Sequence, residues 1–138
     1  KYADKFPGLT TPDESYHGIT YAEKFGKVAW VHYADLEGDE YYDLAKKYMP
    51  DGTSGVLAFG IKGGRSASIA FMDKLKLVSI VTHVADAKTC LLHPASHTHR
   101  QLTDKQLEEA GIAPDLIRLS VGIEDVNDII NDLKQALA

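Results

Sequence analysis

The sequence has one cysteine, no long apolar run and no long basic block, and each of these absences excludes a class of protein. Cys90 alone cannot form an internal disulfide, and its place in the apolar run 90–92 predicts a buried thiol rather than a nucleophile. No apolar run approaches about 18 residues, and residues 1–4 lack the apolar core of a signal peptide. We therefore expect a soluble protein of the reducing cytoplasm that neither crosses nor binds a membrane.

The charge balance argues against nucleic acid as a partner. Twenty acidic residues against fifteen lysines and arginines give a formal net charge of −5, and the basic residues do not cluster. Hydrophobic content of 44% and charged content of 25% are ordinary for a globular protein. A length of 138 residues matches one folded domain with one core.

Residues 1–27 differ in pattern from residues 28–138. Turn signals recur at Pro7-Gly8, Pro12-Asp13 and His17-Gly18. The apolar residues of this region follow neither a helix nor a strand period; they are Phe6, Tyr16, Tyr21 and Phe25. We interpret residues 1–27 as an arm or loop that needs a surface to pack on, and residues 28–138 as the domain proper.

From residue 28 onward, apolar residues recur alternately with strand and helix periods. Strands are predicted at 28–33, 55–61, 77–84, 89–92 and 116–121. Helices are predicted at 41–48, up to residue 75 with Ser66 or Ser68 as the N-cap, up to residue 111 with Thr103 as the N-cap, and at 126–137. In the last helix the apolar residues form one face, and Asp132 is assigned to the outward polar face. The connection 85–88 is too short for a parallel crossover, so at least part of the sheet is antiparallel. The expected fold is an α/β two-layer sandwich, with a largely antiparallel sheet and helices on one face.

Arg118 is the first candidate for a functional residue. It alternates with Ile117 and Leu119 in a short strand that ends at Gly122. A buried arginine needs an anionic partner, and its planar guanidinium fits a carboxylate or phosphate. Two interpretations stay open at this point: an ion pair with an acid of the same chain, or a site for the acid group of a ligand.

Three other features suggest chemistry that we do not expect. His93, His97 and His99 fall within seven residues, but Pro94 interrupts a regular helix that would align His93 with His97, so no metal site is predicted. Ser96 lacks the Gly-x-Ser-x-Gly elbow of a nucleophile. The segment 60–65, Gly-Ile-Lys-Gly-Gly-Arg, matches neither phosphate-binding fingerprint and predicts a tight turn from strand to helix.

Several segments are similar to a known enzyme family. They are His93-Pro94-Ala95-Ser96, Thr98-His99-Arg100-Gln101-Leu102, Asp86-Ala87-Lys88-Thr89, Asp128-Ile129-Ile130 and the run Leu116 to Glu124. Together they resemble the Cys/Met-metabolism family of pyridoxal-phosphate enzymes, and within it the O-acetylhomoserine sulfhydrylases, over essentially all of residues 28–138. The resemblance implies the C-terminal domain of a fold-type I enzyme, placed over a larger cofactor domain.

The resemblance also implies roles for individual residues. Arg118 stands where the family binds the α-carboxylate of the substrate. His83 stands where the family has a serine or asparagine that shapes the same pocket. The parent reaction replaces acetate on O-acetyl-L-homoserine by sulfide or a thiol. No catalytic residue, cofactor ligand or metal ligand of the family is recognised in this chain.

The arm raises a question about completeness. Residues 5–18 are similar to a large-domain loop that follows the Schiff-base lysine, and a long stretch of the family is missing between that loop and the strand at 28. Three hypotheses follow: an inactive C-terminal remnant with an internal deletion, a free-standing interaction domain, or a fragment of an active enzyme. We expect no bound pyridoxal phosphate on this chain alone, weak binding of amino-acid substrate at most, and self-association or association with a large pyridoxal-phosphate domain.

Overall fold

A five-stranded sheet organises residues 26–138, which are the residues that the computed structural model describes. The arm predicted over residues 1–27 therefore lies almost entirely outside the described residues. In chain order the elements are β1 (Val28–His32), α1 (Tyr42–Tyr48), β2 (Val56–Ile61), α2 (Gly64–Met72), β3 (Ser79–Ile80), β4 (Cys90–Leu92), α3 (Asp104–Glu109), β5 (Leu116–Ser120) and α4 (Val126–Leu137).

The strands lie in the order β1-β2-β5-β4-β3. The pairs β1–β2, β2–β5 and β4–β5 are antiparallel, and only β3–β4 is parallel. The predicted α/β fold with a largely antiparallel sheet is confirmed. In the register of the central strands, Arg118 lies opposite Ala58 on one side and Leu92 on the other.

Alternation along the central strands separates the core from the opposite face. Ile117 and Leu119 are fully buried in the hydrophobic core, whereas Arg118 points the other way between them. Phe59 of β2 meets Phe71 of α2 edge to face, with ring centroids 6.0 Å apart. Each such fully buried side chain contributes about 1.5–3 kcal/mol through burial. The core therefore fixes the strand that carries Arg118.

The third strand is much shorter than predicted. A strand was expected over 77–84, but β3 contains only Ser79 and Ile80, and it pairs with β4 in parallel. The reason is that side chains take the flanking backbone groups. Asp132 binds the N–H groups before β3, and Arg118 binds carbonyls after it. Because the strand ends early, the connection spans residues 81–89, which makes the parallel return possible.

Two helices differ in detail from the prediction. In α1 only Ala45 is buried, while Leu44 and Tyr48, expected on the same apolar face, are 51% and 69% exposed. The cap predicted for α2 is wrong. This helix starts at Gly64 after Gly63, whose φ of +108° is a left-handed conformation that glycine adopts readily, so both candidate serines lie inside the helix.

The last two helices follow their sequence signals. The capping box of α3 is confirmed, since the Thr103 side chain accepts from the N–H of Gln106 and the Gln106 side chain accepts from the N–H of Thr103. In α4 the apolar face is buried at Ile129 and Leu133. Asp132, assigned to the outward face, is instead only 6% exposed.

Gly60 marks a close crossing over the sheet. The indole Nε1 of Trp30 donates to Asp115 Oδ2 at 3.1 Å, and this contact lies directly over Gly60. A Cβ at Gly60 would lie 2.1 Å from that Nε1 and 2.3 Å from that carboxylate oxygen. A glycine is therefore required here for space. Within residues 26–138 no helix has the length and apolarity needed to cross a bilayer.

Candidate functional site

Arg118 lies on β5 with its guanidinium held by a loop. Its Nη2 donates to the carbonyl oxygens of Thr82 and His83, at 2.9 and 3.0 Å. Its Nε is buried and has no hydrogen-bond partner. A buried donor without an acceptor costs about 1–3 kcal/mol, so the arginine is under-satisfied as it stands.

Of the two interpretations of Arg118, the ion pair within the chain is absent from the described residues. The ion pairs there involve other basic side chains; they join Lys46 to Asp35, Arg65 to Asp104, Lys105 to Glu109 and His32 to Asp39. Arg118 instead lines a cavity of about 400 Å³. A basic group beside an open cavity, with unused donors, is suited to an anionic ligand.

The turn after β1 also lines this cavity. Asp39 holds that turn, because its carboxylate accepts from the N–H of Tyr33 at 3.1 Å and from the N–H of Tyr41 at 3.0 Å. His32 Nδ1 lies 3.5 Å from the same carboxylate. Sequence reasoning did not single out Asp39, since a lone acid in a turn carries no distinctive pattern.

The loop 81–89 is fastened to the end of β5 by alternate residues. The N–H of Ala85 donates to Ser120 Oγ at 3.0 Å, and the N–H of Ile123 donates to the carbonyl of Ala87 at 2.9 Å. The N–H and hydroxyl of Thr89 both donate to the Glu124 carboxylate. The segment from Arg118 to Glu124 thus acts as a clamp for the loop. The sequence predicted this segment as a strand and as a family motif, and its contacts with the loop appear in the structure.

His83 and Arg118, which the family resemblance assigns to one pocket, are in contact. The contact is made by the backbone carbonyl of His83, whereas the residue itself is exposed. Cys90 is a buried thiol, as predicted, and burial is the largest cause that raises its pKa. Its Sγ lies 3.6 Å from the same His83 carbonyl.

The three histidines do not converge on one point. His93 is fully buried, with Nε2 donating to the carbonyl of Pro114 at 2.8 Å and Nδ1 2.8 Å from Ser96 Oγ. Both of its nitrogens are therefore occupied. Burial is the largest cause that lowers the pKa of His93. His97 Nδ1 contacts Ser96, and His99 Nδ1 contacts Thr98. No cluster of three potential metal ligands occurs within the described part of the chain.

The segment 60–65 serves as a structural turn. Arg65 donates to the carbonyl of Ala95 at 2.7 Å and pairs with Asp104, so it ties α2 to the loop that contains His93. The predicted strand-to-helix turn is confirmed by the start of α2 at Gly64. It offers no phosphate loop.

Comparison with known proteins gives the family. A family model described as "Cys/Met metabolism PLP-dependent enzyme" matches residues 15–138. The chain belongs to this family. Among its relatives is the homocysteine synthase of Schizosaccharomyces pombe, 50% identical over 117 residues that make up 85% of this chain and 27% of that protein.

Two further family members add detail. Sulfhydrylase FUB7 of Gibberella moniliformis is 32% identical over 193 positions, covering 99% of this chain and 45% of FUB7. The aligned range exceeds the 138 residues of the chain, so part of FUB7 within it has no counterpart here. A crystal structure from Campylobacter jejuni, assigned as an O-acetylhomoserine (thiol)-lyase and containing N′-pyridoxyl-lysine-5′-monophosphate, is 34% identical and superposes with a TM-score of 0.80. The matched region covers 91% of this chain and 30% of that one.

The described residues of this family member do not fit its cofactor. A lysine that forms a Schiff base must be desolvated or lie beside positive charge. Every lysine within residues 26–138 is exposed; these are Lys27, Lys46, Lys47, Lys62, Lys74, Lys76, Lys88, Lys105 and Lys134. None of these lysines therefore has the surroundings that a Schiff base to pyridoxal phosphate needs.

Proposed function

We propose that this chain is the C-terminal, substrate-side domain of an O-acetylhomoserine sulfhydrylase, and that Arg118 binds the α-carboxylate of the amino-acid substrate. The parent reaction would be replacement of acetate on O-acetyl-L-homoserine by sulfide or a thiol. The observation that carries the proposal is the under-satisfied guanidinium of Arg118 beside a cavity, with no acid of the described chain paired to it.

We also propose that the chain is a remnant of such an enzyme, in which an internal deletion joins two parts of the parent sequence at Gly26-Lys27. It is supported by the aligned range of FUB7 that lacks a counterpart here. Such a chain would be inactive alone, because the described lysines are exposed and offer no Schiff-base site. The purified chain should form no visible aldimine band with pyridoxal phosphate and no homocysteine from O-acetylhomoserine and sulfide. A stoichiometric band that reduction fixes to one lysine would contradict this part.

The carboxylate role of Arg118 is tested by titrating the ¹⁵N-labelled chain with O-acetyl-L-homoserine. One charged hydrogen-bonded contact is worth about 1.5–3 kcal/mol, so binding should be weak, and Arg118→Ala should lower the affinity by about 10- to 150-fold. The methyl ester of O-acetyl-L-homoserine lacks the carboxylate charge. Its affinity for the wild type should be no higher than the affinity of O-acetyl-L-homoserine for Arg118→Ala.

Arg100→Ala is the matched control, because Arg100 is exposed on a turn outside the cavity lining. It should leave the affinity unchanged. Equal affinities of the wild type and Arg118→Ala for O-acetyl-L-homoserine would overturn the carboxylate role.

A further inference from the structure

We propose that Glu124 is a positioning residue for Arg118, acting through Thr89 and the loop 81–89. The inference rests on the proposed carboxylate role of Arg118 and adds to it the residue that orients the guanidinium. It starts from one observation: Arg118 and Glu124 hold opposite ends of the same loop. Arg118 contacts it at residues 82 and 83, and Glu124 contacts it at residue 89.

The Glu124 end of the loop is the tightly built one. Glu124 Oε1 and Oε2 lie 2.8 and 3.0 Å from the N–H of Thr89, and Oε2 lies 2.8 Å from its hydroxyl oxygen. Thr89 is fully buried, and its Oγ1 also accepts from the N–H of Gly122 at 2.9 Å. Hydrogen bonds to a carboxylate are roughly twice as strong as neutral ones, so this contact is the firm anchor of the loop.

Gly122 allows the carboxylate to come this close. A Cβ at residue 122 would lie 2.5 Å from Glu124 Oε2 and 2.3 Å from the backbone nitrogen of Thr89. The segment that ends β5 is thus shaped for the approach of Glu124 to Thr89, which a surface glutamate would not need.

The rest of the loop has little else to hold it. Residues 82–88 are all exposed, so burial of apolar surface contributes little to their placement. Ala85 has a φ of +59°, a left-handed conformation that is unfavourable for a residue with a Cβ. Its N–H is bound by Ser120 Oγ. The position of the loop therefore depends on polar contacts, and among those described the Glu124 carboxylate is a charged acceptor from outside the loop, whereas the Asp86 carboxylate accepts from Lys88 within it.

The loop in turn fixes the direction of the guanidinium. The guanidinium is planar and rigid, so holding Nη2 against the carbonyls of Thr82 and His83 also sets the directions of Nη1 and Nε. If the anchor at Thr89 is weakened, these carbonyls shift, and Arg118 loses the orientation in which a carboxylate meets its remaining donors. Glu124 would then affect ligand affinity without touching the ligand.

The experiment compares Glu124→Gln with Glu109→Gln in the full chain, with O-acetyl-L-homoserine as the probe. Glu109 is exposed at the end of α3 and makes only an exposed ion pair with Lys105. Glu124→Gln should weaken the affinity by about three- to tenfold and move the Nε–H resonance of Arg118 in the unliganded protein. Glu109→Gln should change neither. Ser120→Ala, which loosens the loop at Ala85, should act in the same direction and keeps the test available if Glu124→Gln fails to fold.

The outcomes separate this inference from the proposed function. If Arg118→Ala abolishes binding but Glu124→Gln and Ser120→Ala, both folded, bind as wild type, the positioning role is wrong and the carboxylate role stands. If Arg118→Ala leaves binding intact, the carboxylate role fails, and the inference fails with it. A change of melting temperature alone, with an unmoved Nε–H resonance and unchanged affinity, would make Glu124 a purely structural residue and overturn the inference.

Discussion

The carboxylate of Asp132 on α4 accepts a hydrogen bond of 2.9 Å from the backbone N–H of Val78, 54 positions earlier in the chain. It also accepts from the N–H groups of Lys76 and Leu77, at 2.9 and 2.8 Å. One side chain therefore satisfies three successive backbone donors just before β3. Without it, these donors would lack partners at a half-buried site.

Asp132→Asn should lower the free energy of unfolding by about 2–4 kcal/mol, because the amide nitrogen of asparagine would face N–H donors and the charge-assisted bonds would be lost. Asp128→Asn, an exposed change on the same helix, should cost less than about 1 kcal/mol. Urea unfolding at neutral pH checks both. Similar losses in the two variants would mean that the Asp132 contacts contribute little.

The same contacts predict a dependence of stability on pH. Burial raises the pKa of Asp132, but the hydrogen bonds from Val78, Lys76, Leu77 and Gln135 outweigh it and hold the pKa below its ordinary value of 3.8. The resulting stabilisation is complete above that value and is lost as pH falls through the lower, folded-state pKa. The deficit of Asp132→Asn relative to wild type should therefore shrink in this acid range.

His93 should give stability a second, higher pH dependence. Burial is the main cause that lowers its pKa from 6.5, so the unfolded chain takes up a proton before the folded one. Stability should be complete above about 6.5 and should fall as the pH drops through the folded-state value. His93→Gln should flatten this part of the curve, and His97→Gln, at an exposed residue, should leave it unchanged. Unfolding curves between about pH 5 and pH 8 test it; identical slopes in wild type and His93→Gln would contradict it.

Gly60→Ala should destabilise the protein by about 2 kcal/mol or more, because the new methyl group meets the indole of Trp30. Trp30→Leu should remove part of that conflict. The loss of stability measured for the double variant should be smaller than the sum of the two single-variant losses, by at least about 1 kcal/mol. Thermal unfolding of the four proteins measures the coupling. Strictly additive losses would show that the crossing over Gly60 is not tight.

The histidines at 93, 97 and 99 should bind no zinc tightly, since both nitrogens of His93 already have partners within the protein. The measurement is elemental analysis after loading with zinc and dialysis against a weak chelator. Stoichiometric zinc that the variant His93→Gln no longer retains would contradict the prediction.

Self-association also stays a prediction, with a second copy of this chain as the expected partner. Apolar side chains of α1 and its flanks are exposed; they are Tyr41, Leu44, Tyr48 and Met49. Light scattering over a range of concentrations should show dimers, and Leu44→Lys with Tyr48→Lys should reduce them. A strict monomer at high concentration would make the prediction wrong. Association only with a large pyridoxal-phosphate domain would make that domain, and not a second copy of this chain, the partner.

Local sequence signals located most elements but not the contacts between them. The helical period found α1, yet it could not show that Leu44 and Tyr48 remain uncovered, because that depends on which elements lie nearby. In the sequence, Asp132 is one polar residue among many on α4, because the three backbone N–H groups that donate to it lie far away in the chain.

The candidate site also contains one residue that the sequence singled out and one contact that it could not show. Arg118 was singled out from its place in a strand and from the family motif, because an arginine is conspicuous in an apolar run. The contact of Glu124 with Thr89 was not predicted, because the two residues are 35 positions apart in the chain. The strand predicted over 77–84 failed for a related reason: side chains from α4 and β5 hold the backbone groups that a longer ladder needs.

The strand order has a consequence for how this chain acquires its structure during synthesis. The centre of the sheet is the pair β2–β5, which joins Val56 to Ser120 and Gly60 to Leu116. On the ribosome, β2 is therefore completed long before its main partner exists, and its apolar side chains stay exposed in the meantime. Only after β5 has been made can the sheet close, so folding should occur late, as one event, with nascent β2 as the segment most dependent on a chaperone.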